Sequence, residues 1–165
     1  MRKQLLLAIA THLRQALPEL AHIDVWNANL ATIQSESAWP VPSVFIEFEQ
    51  YQVRQLANHA YMADVPIVLH VITRSRTARR GIDDAHFAEM LDWFDLIDRI
   101  HLAMSTLHGD TFTTPMLTDS ITNHNHAELI ESCERYVTQV RHLGSHRHSG
   151  DHRLDIDPKV IIQRV

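Results

Sequence analysis

The chain has 165 residues, of which 45% are apolar and 21% charged, a size and composition typical of one folded domain with a substantial core. Its formal charge of −5, with 13 histidines counted as neutral, argues against a protein whose main task is to bind phosphate backbones. The four widely spaced glycines exclude a glycine-rich phosphate loop, and the single cysteine, Cys133, excludes an internal disulfide and a cysteine-rich zinc module.

The first predicted element is an amphipathic helix over residues 2–17. Leu5, Ile9 and Leu13 recur at helical spacing, and Pro18 ends the element. Polar residues interrupt the apolar run early and no small-residue cleavage site follows, so we interpret it as a helix of the mature chain and expect an intracellular protein. No apolar run approaches the roughly 20 residues that span a bilayer, so no membrane partner is expected.

A short strand is predicted at 22–28 and a polar loop at 29–42, and two longer strands follow them. The runs 43–54 and 61–74 alternate between two faces and are rich in β-branched and aromatic residues. Only residues 55–60 separate the two runs, so we expect an antiparallel hairpin whose connection is longer than a tight turn. Pro66 indicates that the second strand lies at a sheet edge or contains a bulge there.

A long helix is predicted after the basic loop at 75–81, beginning at Asp83 or Asp84 and ending near Gly109. Its apolar residues recur at i, i+3, i+4 and i+7, which predicts one buried stripe. The stripe comprises Phe87, Met90, Leu91, Phe94, Ile97, Met104 and Leu107, widened by Trp93, Leu96 and Ile100.

The C-terminal third is β-prone at 111–125, whereas 127–143 fits either a helix or a strand, and we favour a strand. This order predicts an α+β fold, with an antiparallel or mixed sheet of about four to five strands and two main helices on one face. We therefore expect a single domain over 1–143. Residues 144–165 would add a flexible histidine-rich loop and a possible C-terminal strand.

The segment "HRHSGDH" contains four potential zinc ligands, His146, His148, Asp151 and His152. The metallo-β-lactamase-like hydrolases carry His-x-His-x-Asp-His, which has one residue fewer. The extra residue changes the mutual orientation of the ligands, and the neighbouring glycines and serines give little to hold them rigidly. We favour a solvated loop, and a zinc hydrolase using these four residues stays as an alternative.

Other candidate residues also have a structural interpretation that we favour. The "HNH" at 124–126 is compatible with chelation, but we expect a turn. His70 is expected to be a hydrogen-bonded residue of the sheet rather than a metal ligand. Cys133 is expected to pack rather than to act as a nucleophile, and Glu47 and Glu49 to line the solvated side of the sheet. No catalytic residue is predicted.

The order of these elements resembles the tail terminator, or tail-completion, proteins of long-tailed bacteriophages and prophages. The segments that carry the resemblance lie within residues 2–143 and have no catalytic motif. They are "RKQLLLAIATHLRQAL", "PSVFIEF", "ADVPIVLHVITR" followed by an arginine-bearing loop, "DDAHFAEMLDWFDLIDRIHLAMSTL" and "RYVTQVRHL".

The resemblance implies a structural protein without enzyme activity or cofactor. It would form a homo-oligomeric ring, a hexamer in this family, that stops polymerisation of the tail tube and joins the tail to the head connector. It would act in the virion tail and in the host cytoplasm during assembly, without nucleic-acid specificity. We expect the contacts to involve the loops at 29–42 and 75–82 and Arg74, Arg76, Arg79 and Arg80. Another neck or tube-adaptor protein of similar architecture is the alternative.

Overall fold

The computed structural model describes residues 2–27, 33, 39–57, 59–74, 81–83, 85–123 and 129–142. These residues form an α+β fold, as the sequence predicted. Its elements are α1 (Arg2–Ala16), β1 (His22–Val25), β2 (Ser43–Phe48), β3 (Arg54–Gln55), β4 (Tyr61–Arg74), a 3₁₀ helix (Gly81–Asp83), α2 (Ala85–Thr106), β5 (Met116–Asn123) and β6 (Leu129–His142).

The strands form one mixed sheet in the order β1-β2-β4-β6-β5, with β3 paired to β4 beside β2. β1 runs parallel to β2, and the other pairs are antiparallel. The predicted hairpin is therefore confirmed, and the ambiguous 127–143 segment is the strand β6. The sheet has six strands rather than about five because the predicted strand 43–54 forms two separate strands.

β4 is a central strand, and its register with β6 has no bulge at Pro66. Pro66 itself, however, lies between the residues of β4 that pair with β2 and those that pair with β3, so the ladder there is formed with β6 alone. The last residue of β2, Phe48, pairs with Ile67, and the Glu49 N–H still donates to the Pro66 carbonyl at 3.3 Å. Because proline has no N–H, Pro66 cannot donate a second backbone hydrogen bond across to this segment. The ladder between β2 and β4 stops at this point, which accounts for the break before β3.

Both helices pack on one face of the sheet, as predicted. The main core lies between them and the inward side chains of β2, β4 and β6. In α1, the buried residues Leu5, Ile9 and Leu13 follow the predicted spacing. His12 of α1 joins the helices through a 2.9 Å contact from its Nε2 to the Ala103 carbonyl oxygen of α2.

The buried stripe of α2 differs from the predicted one. The buried residues are Trp93, Leu96, Ile97, Ile100, Ala103, Met104 and Leu107. Leu91 and Phe94, both predicted to be buried, are 51% and 53% exposed. Two stripes with helical spacing run along this helix, and Asp98 interrupts the one that contains Leu91 and Phe94. The uninterrupted stripe faces the sheet.

A smaller apolar cluster covers part of the opposite face of the sheet. Ile33, Phe45, Ile72 and Leu129 form it, with two half-buried tryptophans against it. No helix of the described residues is long and apolar enough to cross a membrane. The histidine-rich segment at 144–153 and the predicted C-terminal strand lie outside the residues that the structure describes.

Candidate functional site

β5 is an exposed edge strand with apolar side chains. Met116, Leu117 and Ile121 are 65%, 45% and 49% exposed. Within the described residues β5 pairs only with β6, so the outer backbone groups of the strand face away from the sheet. Outward backbone groups and exposed apolar side chains on one strand are the features through which a second chain adds to a sheet.

A β-bulge limits what this edge accepts as a partner. The register between β5 and β6 shifts between Leu117 and Asp119, and the hydroxyl of Thr118, at the shift, donates to the Arg135 carbonyl at 3.1 Å. Bulges and charged edge residues such as Asp119 oppose indiscriminate pairing. A chain that adds to β5 therefore has to match an irregular backbone.

The opposite end of the sheet is β1, a shorter strand. It has four residues and, among those described, pairs only with β2. The two ends differ in length and direction, so a contact between β5 of one copy and β1 of another would be head-to-tail. Head-to-tail contacts generate rings when the rotation between copies closes.

Arg74 has an internal partner in the fold. This half-buried side chain donates from Nη2 to the Ile33 carbonyl at 2.9 Å and lines a cavity of 380 Å³ between the ends of β4 and β6 and the start of α2. The three other predicted contact arginines, Arg76, Arg79 and Arg80, lie outside the described residues. So do His124 and His126 and the candidate ligands His146, His148, Asp151 and His152.

The face of the sheet opposite α1 and α2 brings together a polar cluster from three adjacent strands. In the register of β4 and β6, His70 lies directly opposite Cys133. Side chains two residues apart on a strand share a face, so Glu131 joins them. Glu47 reaches the same face from β2, whose Phe45 pairs with His70.

The imidazole of His70 bridges two carboxylates. Nδ1–H donates to Glu131 Oε1 at 2.8 Å, and Nε2–H donates to Glu47 Oε2 at 2.9 Å. Cys133 Sγ lies 3.6 Å from the same Nδ1. The ring of Trp26 stacks on the imidazole, 3.8 Å between centroids and 5° between planes. The side chains of His70 and Glu131 are only 10% and 3% exposed.

The protonation of His70 follows from these contacts. Burial alone lowers its pKa, but the hydrogen bonds with Cys133, Glu131 and Glu47 outweigh it and raise the pKa from 6.5 to about 10. An imidazolium that donates from both nitrogens cannot accept the proton of a thiol. A Cys133–His70 nucleophile is therefore disfavoured in this arrangement, although the two groups are close.

A second buried carboxylate lies on the helix side of the sheet. Glu134 is fully buried and accepts hydrogen bonds from Ser132 at 2.5 Å, Ser120 at 3.1 Å and His101 Nε2 at 2.6 Å. Both serines and the histidine bind the carboxylate rather than each other. The order of contacts therefore differs from a catalytic triad, in which the histidine binds the serine, and the cluster ties α2 to β5 and β6.

Sequence reasoning identified some of these groups but not their association. The expected hydrogen bonding of His70 in the sheet is confirmed. Glu47 and Glu49 do share the face opposite α1 and α2, but each has a partner there, His70 for Glu47 and Arg135 at 2.6 Å for Glu49. Glu131 and Glu134 were not predicted to be functional, and their clusters depend on strand register that spacing alone does not specify.

No model of a known protein family matches the chain, and no curated protein matches it significantly.

Proposed function

We propose that this protein is structural and assembles head-to-tail through the edges of its sheet into a ring that caps the tail tube of a long-tailed phage or prophage. The exposed apolar edge strand β5 is the observation that carries the proposal. The order of elements, which resembles the tail terminators, supplies the biological setting: the ring would end tube polymerisation and join the tail to the head connector.

The physical case rests on the exposed end of the sheet at β5. Apolar side chains stand on both faces of β5, with Ile121 opposite Cys133 and Leu117 opposite Tyr136. A neighbouring strand that paired with β5 would cover them while its backbone satisfied the outer N–H and C=O groups. The bulge between Leu117 and Asp119 favours a matched partner over open-ended aggregation.

Native mass spectrometry on untagged protein tests the assembly directly. We expect a closed oligomer, six 19.0 kDa chains if the ring follows the family it resembles. The double variant Met116→Lys, Ile121→Lys should dissociate it, because edge lysines oppose strand addition. Leu7→Lys is the matched control, since Leu7 is a 54% exposed apolar residue that lies on α1 rather than on β5.

Two results would contradict the proposal. One is a chain that stays monomeric at high concentration and also in the presence of purified tail tubes. The other is an oligomer that dissociates equally with Leu7→Lys and with the edge lysines, because the contact would then not depend on β5. Binding to the connector end rather than to the tube end would favour the neck-adaptor alternative.

A further inference from the structure

We propose that His70, Glu131 and Cys133 bind a divalent transition-metal ion, with Zn²⁺ as the best chemical match. Imidazole nitrogen, carboxylate oxygen and thiolate sulfur are all ligands that zinc accepts. The three ligand atoms lie within 4.8 Å of one another on the face of the sheet opposite α1 and α2. The site goes beyond the assembly proposal and does not depend on it.

The distances are close to those of a coordinated ion. At zinc bond lengths of about 2.0–2.3 Å, tetrahedral ligand atoms stand roughly 3.3–3.6 Å apart. Sγ of Cys133 is already 3.6 Å from Nδ1 of His70, whereas Oε1 of Glu131 is closer to it, at 2.8 Å. A metal ion at the centre would replace the Nδ1 and Sγ protons and would move Oε1 outward by about half an ångström.

Groups around the three ligands already have the positions that support a metal site. Glu47 accepts from the other ring nitrogen of His70 at 2.9 Å, which fixes the imidazole with Nδ1 directed at Glu131 and Cys133. Asn123 donates to the second carboxylate oxygen of Glu131 at 2.8 Å. Carboxylates on ligating histidines and hydrogen bonds to ligating carboxylates are the usual surroundings of bound zinc.

The rigidity of the three ligands favours the same conclusion. All three lie within paired strands, and Trp26 stacks on the ring of His70. The ligands are therefore held by the sheet rather than by a loop.

The sole cysteine of the chain makes the site specifically detectable. The 13 histidines, including His146, His148 and His152, are able to capture metal ions elsewhere, so metal content alone does not locate an ion. A Co²⁺–thiolate bond gives a near-ultraviolet charge-transfer band, and only Cys133 can produce it within one chain. The experiment is a titration of Co²⁺ into untagged, metal-free protein, followed by displacement with Zn²⁺.

We expect the band to saturate at one Co²⁺ per chain and to disappear when Zn²⁺ is added. Cys133→Ser should abolish the band, and His70→Gln or Glu131→Gln should weaken Co²⁺ affinity at least about tenfold. Glu47→Gln, which removes a positioning residue, should weaken affinity by about 10–100-fold while the band keeps its wavelength. The double variant His146→Ala, His148→Ala is the matched control and should retain the full band.

Absence of the band in the folded wild-type chain would overturn the proposal. So would a band of undiminished affinity in both His70→Gln and Glu131→Gln, because the ion would then bind Cys133 with other ligands. Loss of the band in the control variant would transfer the site to the histidine-rich segment and would equally overturn it. Circular dichroism of each variant establishes that the fold is retained.

Discussion

Tyr136 is a single buried residue that lowers the stability of the folded state. Its ring is 2% exposed on the helix side of β6, and its hydroxyl has no hydrogen-bond partner among the described residues. Burial raises the pKa of Tyr136 well above its ordinary value of 10.0, and the nearby carboxylate of Glu134 raises it further. A buried hydroxyl without a partner destabilises the folded state.

Tyr136→Phe should therefore stabilise the protein. At neutral pH we expect a gain of about 1–2 kcal/mol in the free energy of unfolding, because the ring packing stays and the hydroxyl is removed. The pKa of Tyr136 is higher in the folded state than in the unfolded state, so Tyr136 adds no pH dependence to the stability below pH 10.0. Above pH 10.0 the unfolded state loses this proton first, and the free energy of unfolding of the wild type declines. The wild type should lose up to about 1.4 kcal/mol more per pH unit there than the variant.

Urea denaturation between pH 7 and pH 11 measures both effects. Tyr51→Phe is the control, because the Tyr51 hydroxyl accepts a 2.7 Å hydrogen bond from Arg2 and its removal brings no gain. A Tyr136→Phe variant that is less stable than the wild type at every pH would show that the hydroxyl has a favourable partner.

The polar cluster marks the limit of what residue patterns predicted. Alternation along β4 placed His70 inside a strand, and a hydrogen-bonded role followed from that. Its neighbours Cys133 and Glu131 lie more than 60 residues further along the chain, and they meet His70 because of one particular register between β4 and β6. A slip of one residue would turn Cys133 to the opposite face, and spacing within one strand carries no information about register.

The helix α2 also shows which structural features residue patterns predict and which they do not. Its length, its position and its amphipathic character were predictable from periodicity. The choice between its two apolar stripes was not predicted, because residues of both recur at helical spacing and the prediction did not include the interruption of one stripe by Asp98. The result is an outward face that exposes Leu91, Phe94 and Leu102 to between 51% and 66%.

Two leucines on this helix test the assignment of its faces. Leu96→Ala should lower the free energy of unfolding by about 2–5 kcal/mol, because Leu96 is 5% exposed and its removal leaves a cavity. Leu91→Ala, the same change at a 51% exposed position, should cost about 0.5 kcal/mol or less. Chemical denaturation of both variants compares them, and equal losses would mean that both stripes are buried in solution.

Over the whole molecule, the two faces of the sheet are covered differently. The two helices and the main core cover one face. The other face carries the polar cluster of His70, Glu131 and Cys133 and the smaller apolar cluster. Under the proposed function β5 makes contacts between copies, and the same strand adjoins the polar cluster, because its Asn123 donates to Glu131.

Because β5 carries the proposed contact between copies, the predicted contact residues Arg76, Arg79 and Arg80 are tested for a contact with the tail tube. Under the proposed function, Arg76→Ala, Arg79→Ala and Arg80→Ala together should leave the oligomer intact and weaken binding to tail tubes at least about tenfold at low salt, with less effect at high salt. Arg74 is kept, because its bond to the Ile33 carbonyl is part of the fold. Cosedimentation with purified tubes at two salt concentrations measures the binding.

The matched control removes the same number of charges elsewhere. Lys3, Arg54 and Arg141 are exposed and lie on α1, β3 and β6, and changing them to Ala should leave tube binding at the wild-type level. Equal losses of tube binding in both triple variants would show that binding depends on the net charge of the protein rather than on the arginines of this loop. Undiminished binding of the Arg76, Arg79 and Arg80 variant would exclude this loop from the tube contact, and β5 would remain the only contact surface that the sheet itself supports.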